Sequence, residues 1–108
     1  MEIWRAFEDL YKAGKVKNLG VCNFLERHLA DILDNCKVKP TVHQLEIHPG
    51  YQQIGLVQYS QKMGMDIEAW SPMGRGELNS KVYMDMADRY NCNVGQLALR
   101  WSLQKGYT

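Results

Sequence analysis

The residues with the clearest chemical character stand in the stretch IEAWSPMGRG, residues 67–76. A short apolar run ends on Trp70, and a polar loop with two glycines follows at once. A flat ring beside bare backbone suits a flat ligand that carries an anionic group, which backbone N–H groups and Arg75 can bind. A rim-filling role for Trp70 and a plain surface turn for the GRG triplet are the alternatives.

A second group of polar side chains alternates along the stretch HQLEIH. In a strand, Gln44, Glu46 and His48 lie on one face and the apolar residues between them lie on the other. Histidine and carboxylate are common metal ligands, but no cysteine or further histidine falls in register with these residues. We therefore expect a polar network here and no metal site. His28 and His43 are expected to be solvated or to pack against helices.

Two further residues of interest, Cys22 and Asn23, lie near the end of the short stretch NLGVCNF. Asn23 is a candidate N-cap for the helix that follows, a position that Asn favours, and that role is compatible with ligand contact. The three cysteines, Cys22, Cys36 and Cys92, are odd in number and form no CxxC pair. This usage favours free thiols in a reducing compartment, and so a cytoplasmic protein.

Composition narrows the class of protein further. The chain has 108 residues, 45% of them hydrophobic, and a net charge of +1, which fits one modest domain over residues 1–108. Because the charge is nearly balanced, we expect no nucleic-acid partner and no binding to a membrane surface. The apolar runs are far shorter than the roughly 20 residues that a membrane-spanning helix needs. Acidic and basic residues interrupt the N-terminus, so no signal segment is predicted there.

Hydrophobic periodicity predicts the elements that must position these residues, in the order α-β-α-β-α-β-α-α. In the first helix, Ile3, Phe7 and Leu10 with Tyr11 share one face, and Trp4 lies beside them. Asn93 and Gln96 have the spacing of a capping box at the start of the last helix. The predicted helices lie within residues 2–18, 25–36, 54–64, 80–91 and 93–106, and Gly14, Gly64 and Gly106 are predicted to end the first, third and last of them. The predicted strands occupy residues 18–23, 41–49 and 65–70.

Strands that alternate with helices predict parallel βαβ units with adjacent strands. A closed (β/α)8 barrel needs about 250 residues, so a chain of this length supplies about three of its eight units. The predicted fold class is therefore α/β, a partial (β/α)8 barrel with three parallel strands and flanking helices. Its two outer strands are open edges, and such edges are templates for pairing. The isolated chain is therefore predicted either to self-associate through these edges or to be only loosely folded.

Four stretches together resemble the middle and later part of an aldo-keto reductase: AGKVKNLGVCNF, KPTVHQLEIHP, IEAWSPMGRG and LALRWSLQKG. The bacterial diketogluconate-reductase-like members are the most similar in pattern. The resemblance implies a (β/α)8 barrel that reduces small aldehydes and ketones to alcohols with NADPH. Residues 1–108 then correspond to helix 4 through helix 7 of such a barrel, and the chain stops at KGYT, before the eighth strand.

The resemblance also implies roles for individual residues. Asn23 and Gln44 match residues that hydrogen-bond the nicotinamide carboxamide. Cys22 stands where the family has Ser, and a thiol is a weaker donor and acceptor than a hydroxyl. Trp70 matches an aromatic residue, usually Tyr, that stacks on the nicotinamide ring. The loop that lies along the pyrophosphate is matched by Ser71, Met73, Gly74 and Gly76.

Other parts of the family pattern lie outside these 108 residues. The catalytic Tyr, its Asp and Lys partners and the catalytic His belong to earlier strands, and the Lys-Ser segment that grips the adenosine end lies beyond Thr108. Reduction of a carbonyl needs a proton donor at the forming alkoxide, and no residue here is assigned that role. We expect no catalytic residue in this chain and no activity from it alone. A stand-alone nucleotide-binding domain or a self-associating scaffold without catalysis is the alternative.

Overall fold

The computed structural model describes residues 1–108 and has the predicted order of helices and strands. Every element is shorter than its predicted stretch, since turns occupy the ends. One short 3-10 turn, Gly74–Gly76, was not expected. The elements are α1 (Glu2–Lys12), β1 (Gly20–Cys22), α2 (Glu26–Asn35), β2 (Val42–Glu46), α3 (Ile54–Lys62), β3 (Asp66–Trp70), α4 (Lys81–Arg89) and α5 (Val94–Gln104).

Left-handed residues terminate four of the five helices. At the end of α1, Gly14 has φ 70°, its N–H donates to Tyr11 O, and Lys15 N–H donates to Leu10 O. This pair of bonds is the Schellman motif, which satisfies carbonyls that the helix end would otherwise leave unpaired. The same pattern ends α3 at Gly64, α5 at Gly106 and α4 at Asn91.

The three strands form one sheet in the order β1-β2-β3, as predicted. Strands β1 and β2 are parallel, with Gly20 opposite Val42 and Cys22 opposite Gln44. This register favours glycine at position 20, because a Cβ there would stand 3.0 Å from the carbonyl oxygen of Val42, closer than an ordinary van der Waals contact. The side chains of β2 alternate as expected: His43 and Leu45 are buried, and Gln44 is half-buried.

The chain divides into two compact units, and the division falls inside β2 and β3. The first unit is Met1–Gln44 with Ile54–Ile67, and the second is Leu45–Gln53 with Glu68–Thr108. In the first unit α2 contacts α3. Its core is formed by Trp4, Leu19, Val21, Leu29, Ile32 and Met65.

Helix α1 does not bury its apolar face. Ile3 is 74% exposed and Phe7 is 41% exposed, whereas Trp4 and Glu8 are buried. The Trp4 indole N–H donates to Val38 O at 3.1 Å, and the Glu8 carboxylate accepts the backbone N–H groups of Lys37 and Val38. These polar contacts orient the helix, so the stripe Ile3–Phe7–Tyr11 remains on the surface.

The second unit is built on α5 and α4, which contact each other. The predicted capping box is present: Asn93 accepts the Gln96 N–H at 2.8 Å, and the Gln96 side chain accepts the Asn93 N–H at 3.0 Å. The open edge of β3 is partly used, because Ala69 N–H donates to Thr108 O at 2.8 Å. No helix in the structure combines the length and the apolar character that a bilayer crossing requires.

Candidate functional site

In the first unit, Cys22, Asn23 and Gln44 gather where β1 ends. Cys22 and Gln44 are register partners, and the Cys22 thiol lies 3.5 Å from Gln44 Oε1. Asn23 N–H donates to Gln44 O at 2.9 Å. Cys22 and Asn23 are exposed. The three residues whose roles the resemblance implied at the carboxamide are therefore neighbours, and two of them present an amide side chain.

Asn23 turns the chain out of β1. Its φ of 55° lies in the left-handed region, which Asn tolerates better than most residues because its short polar side chain hydrogen-bonds locally. The alternative of an N-cap at Asn23 is wrong, because α2 begins at Glu26 and its N-cap is Leu25. The Leu25 N–H donates to His28 Nδ1 at 3.2 Å, so the side chain of His28, not that of Asn23, satisfies a backbone group at the start of α2.

His43 is the functional candidate that sequence reasoning missed. Its ring is fully buried, not solvated, and it packs against α3. Nε2 accepts the N–H of Phe24 at 3.2 Å, and Nδ1 lies 2.8 Å from Ser60 Oγ. The period of two along β2 could have predicted the burial, since His43 shares a face with Leu45. No local signal predicts the contact with Phe24, because it depends on the register between β1 and β2.

In the second unit, the Arg75 guanidinium lies over one face of the half-buried ring of Trp70. Its Cζ lies 5.1 Å from the ring centroid, within the range of a cation–π contact. Arg75 Nε is also 3.4 Å from Ser71 Oγ and 3.8 Å from Glu46 Oε1. Three contacts therefore hold one exposed cation at the end of β3. Trp70 O accepts the Ile47 N–H at 3.3 Å, which ties the strand end to the residue after β2.

The loop after Trp70 is a tight turn with an unusual backbone. Ser71, Gly74, Arg75 and Gly76 all have positive φ, between 51° and 82°. Gly74 N–H donates to Ser71 O, and Glu77 N–H donates to Gly74 O, both at 2.8 Å. A Cβ on Gly74 would lie 2.8 Å from Leu78 Cγ, so both the space and the φ at this position favour glycine. Met73 is exposed, and its sulfur lies close to Gly95 at the start of α5.

Glu46 and His48 form the polar network expected along this stretch. His48 Nε2 lies 3.7 Å from Glu46 Oε1, the same oxygen that Arg75 approaches. His48 Nδ1 is buried without a hydrogen-bond partner. The structure contains no cluster of three or more ligand-type side chains that could hold a metal ion. The Arg75 cation, the amides of Asn23 and Gln44 and the Ser71 hydroxyl suit an anionic or amide-bearing ligand. The Glu46 carboxylate already lies 3.8 Å from Arg75 Nε, so an anionic ligand would share this cation with it.

The predicted site residues thus form two groups, one in each unit. The first unit holds Cys22, Asn23 and Gln44, and the second holds Trp70, Ser71, Met73, Gly74 and Gly76. Within each group the residues are linked by short contacts.

Comparison with known proteins gives a consistent result. The family model described as "Aldo/keto reductase family" matches residues 1–108. An uncharacterized oxidoreductase of Bacillus subtilis, YtbE, is 45% identical over 106 residues, which are 97% of this chain and 38% of that protein. Glyoxal reductase of the same organism is 42% identical over the same shares. Methylglyoxal reductase DkgA of Escherichia coli is 37% identical over 98% of this chain and 40% of that protein.

Solved structures agree. An aldo/keto reductase from Brucella melitensis has a TM-score of 0.91 at 36% identity, over 98% of this chain and 41% of that one. The aldose reductase of Schistosoma japonicum has a TM-score of 0.90 at 35% identity, over 96% of this chain and 34% of that one. A Gox0644 variant in complex with NADPH has a TM-score of 0.90 at 37% identity, over 96% of this chain and 39% of that one. The chain spans about two fifths of these relatives, and the predicted partial (β/α)8 barrel is confirmed. The chain belongs to the aldo/keto reductase family.

Proposed function

We propose that residues 1–108 supply the nicotinamide-binding part of a cytoplasmic, NADPH-dependent reductase that converts aldehydes or ketones to alcohols. Relatives named glyoxal reductase and methylglyoxal reductase support a small carbonyl substrate. The solved relative in complex with NADPH supports the cofactor. The three cysteines, Cys22, Cys36 and Cys92, are free thiols, which supports a reducing compartment.

The observation that carries the proposal is the clustering of Asn23 and Gln44 at the end of β1. A nicotinamide carboxamide has one carbonyl acceptor and an NH2 donor. Two side-chain amides can satisfy both, because each offers an oxygen acceptor and an NH2 donor. The left-handed backbone at Asn23 projects this residue from the end of the strand. Cys22 is the third neighbour, with a thiol that makes a weaker hydrogen bond.

For the second group, the resemblance implies contact with the nicotinamide ring and the diphosphate of NADPH. The Trp70 ring is the stacking surface, as the resemblance implies for this position. The tight turn formed by Ser71, Met73, Gly74 and Gly76 would lie along the diphosphate, where its backbone N–H groups and the Arg75 guanidinium provide positive charge. The polar lining of cation, hydroxyl and glycine backbone fits an anionic group. When bound, the cofactor supplies the hydride for carbonyl reduction.

We further propose that the proton needed at the forming alkoxide comes from residues outside this segment. The purified 108-residue chain should then show no NADPH-dependent reduction of glyoxal or methylglyoxal above the uncatalysed rate. A complete barrel that carries the segment should be active. Turnover by the isolated chain that survives repurification and disappears on Trp70→Ala would contradict this.

Binding of the cofactor is tested by a matched pair of tryptophans. Trp70 carries Arg75 over its ring at 5.1 Å, and Trp101 carries Lys105 at 5.8 Å. In a complete barrel, Trp70→Ala should weaken NADPH binding by about 1–2 kcal/mol, the order expected for a lost aromatic partner. Trp101→Ala should leave the dissociation constant unchanged. Equal constants for both variants, measured by calorimetric titration, would remove Trp70 from the site.

Self-association is a second candidate property, favoured by one specific surface. In the first unit an open apolar groove of about 840 Å³ is lined by the exposed side of α1 and by β1 and α2, including Trp4, Phe7, Val21 and Phe24. A second copy of the chain is the proposed occupant, since an uncovered apolar surface favours association. Sedimentation velocity of the 108-residue chain should show a concentration-dependent shift that Phe7→Glu reduces. A monomer at all concentrations would exclude it.

A further inference from the structure

A continuous chain of hydrogen bonds links α3 to the turn after β1. Phe24 N–H donates to His43 Nε2 at 3.2 Å, His43 Nδ1 lies 2.8 Å from Ser60 Oγ, and the Ser60 hydroxyl donates to Leu56 O at 2.8 Å. His43 and Ser60 are both fully buried. All of these residues belong to the first unit.

The direction of these bonds determines the protonation state of the imidazole. A backbone N–H can only donate, so Nε2 accepts and carries no proton. The Ser60 hydroxyl gives its single hydrogen to Leu56 O, so Ser60 Oγ accepts from His43, and the ring proton lies on Nδ1. Both ring nitrogens of His43 and the Ser60 hydroxyl then have partners. A doubly protonated ring would place an Nε2–H group against the Phe24 N–H.

These bonds hold the Asn23 turn on both sides. Asn23 N–H donates to Gln44 O, which continues the β1–β2 ladder by one bond. The next N–H, that of Phe24, lies outside the ladder, because successive N–H groups along a strand point to opposite sides and that of Asn23 already faces β2. The His43 ring supplies the missing acceptor. Without it, a half-buried donor would be left unsatisfied, and the turn could relax.

We propose that His43, as the neutral Nδ1–H tautomer, is a positioning residue that holds Asn23 in the geometry for binding the nicotinamide carboxamide. Ser60 fixes this tautomer from α3. The role in cofactor binding rests on the function proposed above, whereas the tautomer follows from the hydrogen bonds of this chain alone.

The first experiment uses the 108-residue chain itself. Nitrogen-15 chemical shifts and couplings of the imidazole should show a neutral His43 at pH 7, with the proton on Nδ1. Ser60→Ala should change those shifts, because Nδ1–H loses its acceptor. Ser102→Ala is the matched control, since Ser102 is a buried helical serine in the second unit, and it should not change them. A proton on Nε2, or a charged ring, would overturn the proposal.

The second experiment measures NADPH affinity in a complete barrel that carries residues 1–108. His43→Leu should weaken binding about tenfold (about 1.4 kcal/mol). His43→Gln should weaken it less, because a Gln oxygen can reach the Phe24 N–H. In an Asn23→Ala background, His43→Leu should cause no further loss, since it acts through Asn23. Its loss should remain additive with that of Trp70→Ala.

The outcomes separate the two proposals. Two results would overturn the positioning role and leave the proposed cofactor-binding function standing. One is a loss of NADPH affinity in the double variant that equals the sum of the losses for His43→Leu and Asn23→Ala. The other is an equal loss of affinity for His43→Leu and His43→Gln. A wild-type barrel that folds but binds no NADPH would overturn the proposed function and, with it, the role in cofactor binding. The nuclear magnetic resonance result for the tautomer would still stand.

Discussion

The two units of the chain hold their polar groups in different ways. In the first unit, Glu8 and His43 are buried and hydrogen-bonded to backbone or to a buried hydroxyl. In the second unit, the ion pairs of Glu46 lie near the surface, and His48 Nδ1 has no partner. Four of the five non-glycine residues with positive φ belong to the second unit, and Asn23 alone belongs to the first.

The two candidate groups have different requirements for the roles proposed for them. Amides that bind a carboxamide must have a defined orientation, because hydrogen bonds weaken steeply when they are misaligned. Buried networks provide that orientation, since a broken bond would leave an unsatisfied group. A loop that lies along a diphosphate relies on charge and backbone N–H groups, which tolerate adjustment. The exposed contacts around Arg75 fit that second requirement.

The largest effect is expected from Glu8→Ala, which tests how much the buried hydrogen bonds of Glu8 contribute to the stability of the first unit. The substitution removes the acceptor for the backbone N–H groups of Lys37 and Val38 and the ion pair with Arg5 at 3.1 Å. The denaturation midpoint should fall more than for any other substitution described here. The control is Asp9→Ala on the same helix, which removes only an exposed pair with Lys12 and should be nearly neutral. Equal denaturation midpoints for Glu8→Ala and Asp9→Ala would show that the buried contacts of Glu8 contribute no more to stability than an exposed ion pair.

The pH dependence of stability should show the two buried groups of the first unit, His43 and Glu8, as two separate steps. Burial lowers the pKa of His43 from 6.5, so below about pH 6.5 the unfolded chain binds a proton that the folded chain resists, and stability falls as the pH drops. Backbone hydrogen bonds, that of Val38 above all, lower the pKa of Glu8 from 4.5. Its contribution is present above about pH 4.5 and is lost as the pH falls further.

Denaturant titrations at a series of pH values measure both steps. His43→Leu should remove the step near pH 6.5 and leave the lower one. The partners of the His43 ring, the Phe24 N–H and the Ser60 hydroxyl, are uncharged and do not titrate in this range. A stability that does not change between pH 7 and pH 5 would count against a neutral, buried His43.

A smaller effect is expected from Arg75→Gly, which sharpens the description of the second unit. The substitution removes the cation over Trp70 and its pair with Glu46, a surface interaction worth about 0–1 kcal/mol. It also relieves a φ of 54°, which costs an L-residue roughly 1–2 kcal/mol. Stability should therefore change little, while NADPH binding in the complete barrel weakens by about 1 kcal/mol through the lost charge–phosphate bond. A large loss of stability would contradict this expectation and show that the exposed contacts of Arg75 stabilise the fold as strongly as the buried contacts of the first unit.

The smallest effect is expected from Asn91→Gly at the end of α4. Asn91 has φ 49° and occupies the position that Gly14, Gly64 and Gly106 hold at the other helix ends. Glycine there should raise the free energy of unfolding by about 0.5 kcal/mol, because it accepts this backbone without strain. Asn91→Ala is the opposing control and should lower it. Thermal unfolding of the three proteins compares them, and a destabilised glycine variant would contradict the assignment.

Much of the fold could be predicted because its signals are local. Gly14, Gly64 and Gly106 mark helix ends, since their left-handed backbone is set by the adjoining turn. The capping box of Asn93 and Gln96 spans only three residues. The alternation along β2 follows from the pleat, so the half-burial of Gln44 and Glu46 needed no knowledge of distant residues. The family resemblance added the roles of Asn23, Gln44 and Trp70, which remain proposals.

Patterns within short stretches of the chain thus predict the order of elements, the parallel sheet and the family, and they single out the two candidate groups. The burial of Trp4 and Glu8, in place of the apolar stripe of α1, follows from tertiary contacts. So do the hydrogen bond from the Phe24 N–H to His43 and the position of Arg75 over Trp70. The physical reason is that each of these contacts depends on a partner outside the local turn or on a particular strand register and loop conformation. A pattern of neighbouring residues does not encode the direction of such a hydrogen bond.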